Sequence, residues 1–323
     1  METIEPLLTA KDFVSDQEIR WCPGCGDFAV LKQVQNVLAK LNIPKHQYAF
    51  VSGIGCSSRF PYYLDTYGIH SIHGRATSLA TGLKLSNPAL SVWVITGDGD
   101  GLSIGGNHFI HLMRRNVDLK VLLFNNQVYG LTKGQYSPTS PLHTISKSSP
   151  LGSIDNPMNP LLVALASGAS FIARTIDREA KHLQQMLLDV ADHKGTALLE
   201  IYQNCHIFND GAFDLYTDKQ TKQESTIYLE DGKPMIFGLN KGIGIDNQVV
   251  RIIDIEKEGA DKCLIHDIKN KEIANILVRL GEGEFSDFPK VFGLIYAEKR
   301  EVYSFPEKTN ITKSELKNIL TKK

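Results

Sequence analysis

Two short motifs in this sequence carry residue types that can bind a phosphate group and a metal ion. One apolar run ends at Gly97-Asp98-Gly99-Asp100-Gly101, and a later apolar run ends at Asn125-Asn126. Glycines let a backbone approach a phosphate closely, while carboxylate and amide side chains offer the hard oxygen ligands that Mg²⁺ prefers. Residues 92–130 are therefore predicted to form a strand–loop–helix–strand unit that binds a phosphate together with a metal ion.

A dinucleotide-binding loop is the main competing interpretation of the glycine motif. That pattern requires a third glycine where this chain has Leu102, and an acidic residue at the end of the following strand. The following strand ends in the amides Asn125-Asn126 instead, and the sequence contains no Walker A motif. The dinucleotide interpretation is therefore weak.

The cysteines form a second group of residues with possible chemistry. An odd number of cysteines without an export signal favours metal or redox use over a disulfide framework. The five are Cys22, Cys25, Cys56, Cys205 and Cys263. One C-x-x-C pair plus single cysteines after two predicted strands suits a 4Fe–4S cluster, with a zinc site or free thiols as alternatives. Cys263 lies far along the chain and is expected to be a plain thiol.

The elements around these motifs determine whether they can meet. Apolar strands alternate with helical segments as far as residue 202, a pattern that predicts an α/β fold with a parallel sheet. Cys56, Asp98, Asn126 and Cys205 each follow the C-terminal end of a predicted strand. Ligands of parallel sheets bind at that edge, so we expect these four residues to converge there.

Composition and organisation narrow the class of protein further. The net charge of −1 gives no sign of a nucleic-acid or membrane partner, and no apolar run or N-terminal pattern indicates membrane insertion or export. We therefore expect a cytoplasmic protein. Residues 1–225 are predicted to form the binding domain and residues 226–323 a smaller, more charged α+β appendage. The Ser-, Thr- and Pro-rich segment 131–160 is predicted to fold over the ligand.

Taken together, the motifs resemble the β subunit of 2-oxoacid:ferredoxin oxidoreductases, most closely the two-subunit 2-oxoglutarate type. The resemblance covers essentially the whole chain and keeps the order of the motifs. They are CPGCGD at 22–27, GIGCSSRFP at 53–61, HGRA at 73–76, GDGDG at 97–101 and NNQVYGLTKGQ at 125–135.

The resemblance implies a parallel-sheet module that binds the diphosphate half of thiamine diphosphate, and it implies three cofactors. Thiamine diphosphate would contact Ile54, Gly55, Cys56, Ser57, His73, Gly99, Asp100, Gly130 and Leu131. Mg²⁺ would be bound by Asp98, Asn126 and the Val128 carbonyl. One 4Fe–4S cluster would be ligated by Cys22, Cys25, Cys56 and Cys205.

The implied reaction is the coenzyme A-dependent oxidative decarboxylation of a 2-oxoacid, with 2-oxoglutarate favoured and electrons passing through the cluster to ferredoxin. We hypothesise that Arg59 faces the substrate carboxylates, since a guanidinium suits bidentate carboxylate recognition. We identify no glutamate that could activate the cofactor, and the family supplies it from an α subunit. The chain is therefore expected to be inactive alone, and its C-terminal appendage to contact that subunit.

Two other functions remain open at this level. The first is a non-redox thiamine diphosphate decarboxylase or carboligase whose cysteines bind zinc. The second is an electron-relay or assembly subunit that has no thiamine site. Iron content tests the first alternative, and the effect of Asp98→Ala tests the second.

Overall fold

A computed structural model describes residues 8–304 and 312–321. The helices are α1 (Asp27–Leu41), α2 (Ala76–Ser86), α3 (Asp98–Leu102), α4 (Gly106–Arg115), α5 (Pro160–Ala166), α6 (Ala180–Asp192), α7 (Lys222–Ser225), α8 (Ile255–Glu258), α9 (Lys271–Leu277) and α10 (Lys313–Thr321). The strands are β1 (Tyr48–Ser52), β2 (Tyr67–His70), β3 (Ser91–Gly97), β4 (Lys120–Asn125), β5 (Phe171–Ile176), β6 (Ala197–Tyr202), β7 (Thr226–Tyr228), β8 (Ile236–Phe237), β9 (Lys241–Asp246), β10 (Val249–Asp254) and β11 (Lys290–Ala297).

The main sheet has eight strands in the order β2-β1-β3-β4-β6-β5-β11-β7. All neighbours are parallel except β11, which runs antiparallel to β5. Every residue of β1, β4, β5 and β6 is buried, because helices cover both faces of the sheet. The structure thus confirms the predicted α/β fold with a mostly parallel sheet.

The two faces of the sheet carry separate hydrophobic cores. On one face, helices α2, α4 and α5 pack against the sheet with residues such as Phe109 and Leu161. On the other face, Val34 of α1 and Leu187 of α6 do the same. The apolar positions of these helices recur at helical spacing, which is why the sequence pattern predicts them well.

The C-terminal region is joined to the main sheet more closely than the sequence indicates. Strands β7 and β11 lie beyond the boundary predicted near residue 225, yet both belong to the eight-stranded sheet. Only β8, β9 and β10 form a separate small sheet. The boundary therefore does not separate two cores, because Val291 and Leu277 from beyond it pack in the same cluster as Val121 of β4.

The residues with possible chemistry follow the ends of neighbouring strands, as the sequence predicts. Strands β1, β3, β4 and β6 are consecutive neighbours in the sheet. Their ends are in register, with Ser52 beside Ile95, Gly97 beside Phe124 and Asn125 beside Tyr202. The loops that carry Cys56, Asp98, Asn126 and Cys205 therefore leave the same edge of the sheet, which confirms the predicted convergence. In the part of the chain that the structure describes, no helix has the length and apolar character needed to span a membrane.

Candidate cofactor site

A cleft with about 490 Å³ of empty space, part of it open solvent, lies at the edge of the sheet where β1, β3 and β4 end. Its wall includes every residue that the sequence assigns to thiamine diphosphate or Mg²⁺: Ile54, Gly55, Cys56, Ser57, His73, Asp98, Gly99, Asp100, Asn126, Val128, Gly130 and Leu131. The cleft is also lined by Phe124, Tyr129 and Thr132, which are not among the predicted site residues. No glutamate lines it among the residues that the structure describes.

The carboxylate of Asp100 holds the loops of this cleft together. It is buried, and its Oδ1 accepts hydrogen bonds from the backbone N–H groups of Ile54 (3.1 Å) and Gly74 (2.9 Å). Its Oδ2 accepts a third from Thr96 Oγ1 at 2.7 Å. These contacts engage both carboxylate oxygens with protein groups, and Asp100 also lines the cleft, where its contact with the cofactor stays a prediction. The structure thus gives this carboxylate a role in positioning the loops around the cleft.

Two glycines of this cleft have different roles. One allows close packing, and the other leaves its backbone open to a phosphate. A Cβ added to Gly99 would lie 2.2 Å from Cε1 of Tyr129, whose hydroxyl donates a hydrogen bond to the Gly99 carbonyl. At Gly55, φ is +124° and nothing lies within 4 Å of the Cβ position, so this backbone faces open space. A backbone exposed in this way forms a cradle that can approach a diphosphate.

The three residues assigned to Mg²⁺ all line the cleft. Asp98 begins α3 directly after β3, and its side chain is 2 % exposed. Its Oδ2 accepts hydrogen bonds from Ser137 Oγ and Thr139 Oγ1, each at 2.5 Å. Burial raises the pKa of Asp98, so a cation beside it would stabilise the carboxylate.

Asn126 and Val128, the other two residues assigned to Mg²⁺, form one turn. Asn126 Oδ1 accepts a hydrogen bond from the Val128 N–H at 3.2 Å. A carboxylate, an amide oxygen and a backbone carbonyl make up the hard donor set that suits Mg²⁺. The chemistry of these donors therefore fits the metal that the sequence motifs imply.

Residues missed by the sequence analysis reach the site from the long segment after Gly130. Ser137 and Thr139 belong to this segment, which folds back so that both hydroxyls contact Asp98. The segment therefore packs against Asp98, and that it covers a bound ligand stays a prediction. The hydroxyl-rich run Ser137-Pro138-Thr139-Ser140 is the feature that could have indicated which of its residues approach Asp98.

A second cavity of about 790 Å³ lies next to the cleft and contains all four cysteines assigned to the cluster: Cys22, Cys25, Cys56 and Cys205. The two cavities share Cys56, Asn126, Gly130 and Leu131. A Cβ added to Gly130 would lie 3.5 Å from Cys205 Sγ and 3.6 Å from Cys56 Sγ. Gly130 therefore stands between the cysteine cavity and the cleft.

The environment of these thiols disfavours their charged form in the protein alone. Burial, together with the charge of the neighbouring Asp27 carboxylate, raises the pKa of Cys56 to about 12. Burial also raises the pKa of Cys25 and of Cys205. Thiolates in such surroundings are stabilised by a bound cationic centre, which fits a metal cluster in this cavity.

The fifth cysteine is separate from these four. Cys263 lies elsewhere, buried against β9, where a Cβ at Gly242 would be 2.2 Å from its sulfur. In the described residues, no group of three His, Cys, Asp or Glu side chains is arranged to hold a single metal ion.

Arg59 lies in the cysteine cavity and not in the wall of the thiamine cleft. Its Nε donates a hydrogen bond to the Tyr63 hydroxyl at 2.9 Å, which holds the half-buried side chain in place. Arg59 is close enough to Cys56 for its charge to oppose the rise in the thiol pKa that burial causes. The guanidinium is therefore close to Cys56, the residue that both cavities share.

Comparison with known proteins agrees with this geometry. Residues 53–201 match the C-terminal thiamine pyrophosphate binding domain of thiamine pyrophosphate enzymes. The subunit KorB of a Mycobacterium tuberculosis 2-oxoglutarate oxidoreductase is 51% identical over 264 residues, which cover 80% of this chain and 69% of that protein. A Sulfolobus 2-oxoacid:ferredoxin oxidoreductase β subunit is 41% identical over 247 residues, or 76% of this chain and 79% of that protein.

A solved structure extends the likeness to the fold. The 2-oxoglutarate:ferredoxin oxidoreductase from Magnetococcus marinus, with 2-oxoglutarate, coenzyme A and succinyl-CoA bound, matches with a TM-score of 0.74 and 34% identity. The match covers 92% of this chain and 87% of that one. The fold and the cleft thus define a thiamine diphosphate-binding domain. More particularly, the chain belongs to the family of 2-oxoacid:ferredoxin oxidoreductase β subunits.

Proposed function

We propose that this chain is the thiamine- and iron–sulfur-binding subunit of an enzyme that oxidatively decarboxylates a 2-oxoacid, with 2-oxoglutarate favoured. The products would be an acyl-CoA, CO₂ and reduced ferredoxin. The observation that carries this proposal is the shared wall of the two cavities, which includes Cys56 and Gly130. Such a wall would hold the cofactor that forms and breaks the carbon–carbon bond directly beside the centre that accepts electrons.

The two cavities of this chain would bind different cofactors. Asp98, Asn126 and the Val128 carbonyl would bind Mg²⁺, while the glycine-lined backbone of the cleft receives the diphosphate. Cys22, Cys25, Cys56 and Cys205 would hold one 4Fe–4S cluster. Bound thiamine diphosphate supplies the nucleophilic carbon and the electron sink for decarboxylation. The protein's part is to hold both cofactors and to keep the loops around them fixed.

We further propose that an α subunit completes the site. Activation of the cofactor requires a carboxylate against its aminopyrimidine ring, and no glutamate lines the cleft among the described residues. The small β8–β9–β10 sheet and its surroundings in region 226–323 are our candidate for contact with that subunit. The unpaired cysteines of the described chain suit a reducing compartment, so we place the complex in the cytoplasm.

Arg59 is proposed to bind a carboxylate of the substrate at the junction of the cavities. Its position in the cysteine cavity, next to Cys56, supports a substrate that extends from the cleft towards this cavity. We expect Arg59→Leu to raise the KM for 2-oxoglutarate more than the KM for 2-oxobutyrate, which lacks the second carboxylate. An equal change in both KM values would contradict this role.

The central experiment is an assay of the purified complex without oxygen. The chain is produced with its α subunit, its iron and acid-labile sulfide are measured, and viologen reduction is followed with coenzyme A and a panel of 2-oxoacids. We expect a brown protein whose viologen reduction depends on both coenzyme A and the 2-oxoacid. A colourless zinc protein that releases CO₂ without reducing viologen would support the non-redox alternative.

A further inference from the structure

Gln203 lies in the wall of the cysteine cavity and contacts Asn126, which lines both cavities. It directly follows β6, its side chain is 1 % exposed, and its backbone N–H donates to the Asn125 carbonyl at 3.0 Å. It lines the cysteine cavity together with Asn126, a residue assigned to Mg²⁺. The buried side chain therefore lies in a wall that also carries ligands assigned to the cluster and to Mg²⁺.

The amide of Gln203 contacts a residue from each group. Its Nε2 donates to Cys25 Sγ at 3.4 Å and to the Asn204 carbonyl at 2.6 Å. Its Oε1 accepts a hydrogen bond from Asn126 Nδ2 at 2.9 Å. A rotated amide would place its oxygen against the Asn204 carbonyl, which can only accept, so this contact determines the orientation of the amide.

The contact with Asn126 extends to the Mg²⁺ side. Because Gln203 holds Nδ2 of Asn126, the other atom of that amide, Oδ1, is directed to the turn where it accepts the Val128 N–H. This turn sets the position of the Val128 carbonyl as well. One glutamine therefore orients two of the three groups assigned to Mg²⁺.

We propose that Gln203 is a positioning residue that joins the two cofactor sites, an inference that rests on the function proposed above. Its oxygen end fixes Asn126 and hence the Mg²⁺-diphosphate site. Its nitrogen end donates a hydrogen bond to the Cys25 sulfur. Such a bond stabilises the additional negative charge of a reduced cluster and so raises its reduction potential.

Two variants distinguish the role of the amide oxygen of Gln203 from that of its nitrogen. Gln203→Met removes both the donor and the acceptor while keeping the length of the side chain. Gln203→Glu keeps an oxygen that accepts from Asn126 but, as a carboxylate, donates nothing to Cys25. The matched control is Gln185→Met, because Gln185 is exposed on α6 and its amide donates to Asp189 at 2.9 Å.

The measurements use the holo-complex with its α subunit. The midpoint potential of the cluster is determined by a redox titration followed by electron paramagnetic resonance, and thiamine diphosphate affinity by titration at fixed Mg²⁺. We expect both variants to lower the potential, and only Gln203→Met to weaken thiamine diphosphate binding, by roughly tenfold. The control should match the wild type in both measurements.

The outcomes that overturn the inference are distinct from those that overturn the proposed function. Wild-type potential in both variants, or equal thiamine diphosphate affinity for Gln203→Met and Gln203→Glu, would show that Gln203 does not join the sites. If a variant loses its iron, the affinity comparison is made on cluster-free protein and decides in the same way. A wild-type complex without iron or without thiamine diphosphate binding would instead refute the proposed function itself.

Discussion

His73 Nδ1 lies 2.8 Å from Asp100 Oδ1, so an imidazole on the rim of the thiamine cleft is tied to a carboxylate at its base. The imidazole is 45% exposed, whereas the carboxylate is only 2% exposed. The same oxygen accepts the backbone N–H groups of Ile54 and Gly74. One buried carboxylate therefore determines how the two loops of the cleft are placed relative to β3.

Replacement of Asp100 should affect stability and cofactor binding in a graded way. Asp100→Ala removes all the acceptors and leaves two backbone N–H groups without them, so we expect a loss of about 3 kcal/mol in the free energy of unfolding. Asp100→Asn keeps one oxygen for those N–H groups and should cost about 1 kcal/mol. Chemical denaturation and thiamine diphosphate titration measure both effects. Equal losses for the two variants would contradict the arrangement.

Much of the site follows from the sequence because strand ends of a parallel sheet share one edge. Cys56, Asp98, Asn126 and Cys205 can be placed together from the order of apolar runs alone, and their loops do leave one edge. The pattern is local, since each residue lies within four positions of the end of the strand that positions it. A residue can be located from the sequence when the strand just before it determines its position in the fold.

The remaining features depend on contacts between distant segments. Strand β11 joins the main sheet antiparallel to β5, and nothing in its own apolar run indicates that neighbour. The contacts of Thr139 with Asp98 and of Gln203 with Cys25 arise from the path of loops whose conformation has no periodic signature. The contacts of the Asp100 carboxylate with Ile54 and Gly74 likewise arise only in the folded loops.

The tight packing at Gly99 gives a second prediction. A Cβ there would lie 2.2 Å from the Tyr129 ring, so Gly99→Ala must displace either the ring or the loop. We expect a cost of about 1–3 kcal/mol in unfolding free energy and a loss of thiamine diphosphate binding. The control is Gly82→Ala in α2, where nothing lies within 4 Å of the Cβ position. That change should stabilise the protein by up to about 1 kcal/mol, as measured by the same denaturation.

Replacement of Asp98 should weaken cofactor binding without lowering the stability of the cofactor-free protein. Its carboxylate is buried, and that burial raises its pKa, so the cofactor-free protein bears a cost for keeping a charge there. Asp98→Asn removes the charge, and we expect the cofactor-free protein to be at least as stable as the wild type. The variant should bind thiamine diphosphate at least about tenfold more weakly at a given Mg²⁺ concentration. Undiminished affinity would show that Asp98 does not bind the metal.

The buried ion pair behind the site gives a fourth prediction. Glu200 accepts hydrogen bonds from Arg174 Nε at 2.7 Å and from Asn125 Nδ2 at 2.8 Å, and neither charged side chain is exposed. Arg174→Met leaves a buried carboxylate without its counter-charge, which should cost about 3–5 kcal/mol. The exposed pair of Arg178 with Asp214 is the control, and Arg178→Met should cost at most about 1 kcal/mol.

Adding Glu200→Gln to Arg174→Met should recover part of that loss, because the second change removes the unpaired charge while an oxygen remains for Asn125. The test is a double-mutant cycle based on chemical denaturation. If the double variant were as unstable as the sum of the single changes, the two side chains would not be coupled.

The pH dependence of stability should depend on two half-buried histidines, one in α6 and one directly after it. His182 Nδ1 lies 2.8 Å from Thr175 Oγ1, and His193 Nε2 lies 2.8 Å from Ser170 Oγ. Burial lowers the pKa of each imidazole to about 4. An unfolded chain binds protons at these histidines below about pH 6.5, whereas the folded chain keeps them neutral until about pH 4.

Between those limits the unfolded state holds more protons, so the two histidines should reduce stability as the pH falls from 6.5 towards 4 and contribute no slope above 6.5. Each can contribute up to about 1.4 kcal/mol per pH unit. Denaturation of cofactor-free protein at several pH values should show a smaller acid slope for His182→Gln and for His193→Gln than for the wild type. His46→Gln, at an exposed position, should leave the slope unchanged. If both His182→Gln and His193→Gln kept the acid slope of the wild type, protonation of these imidazoles would not be coupled to unfolding.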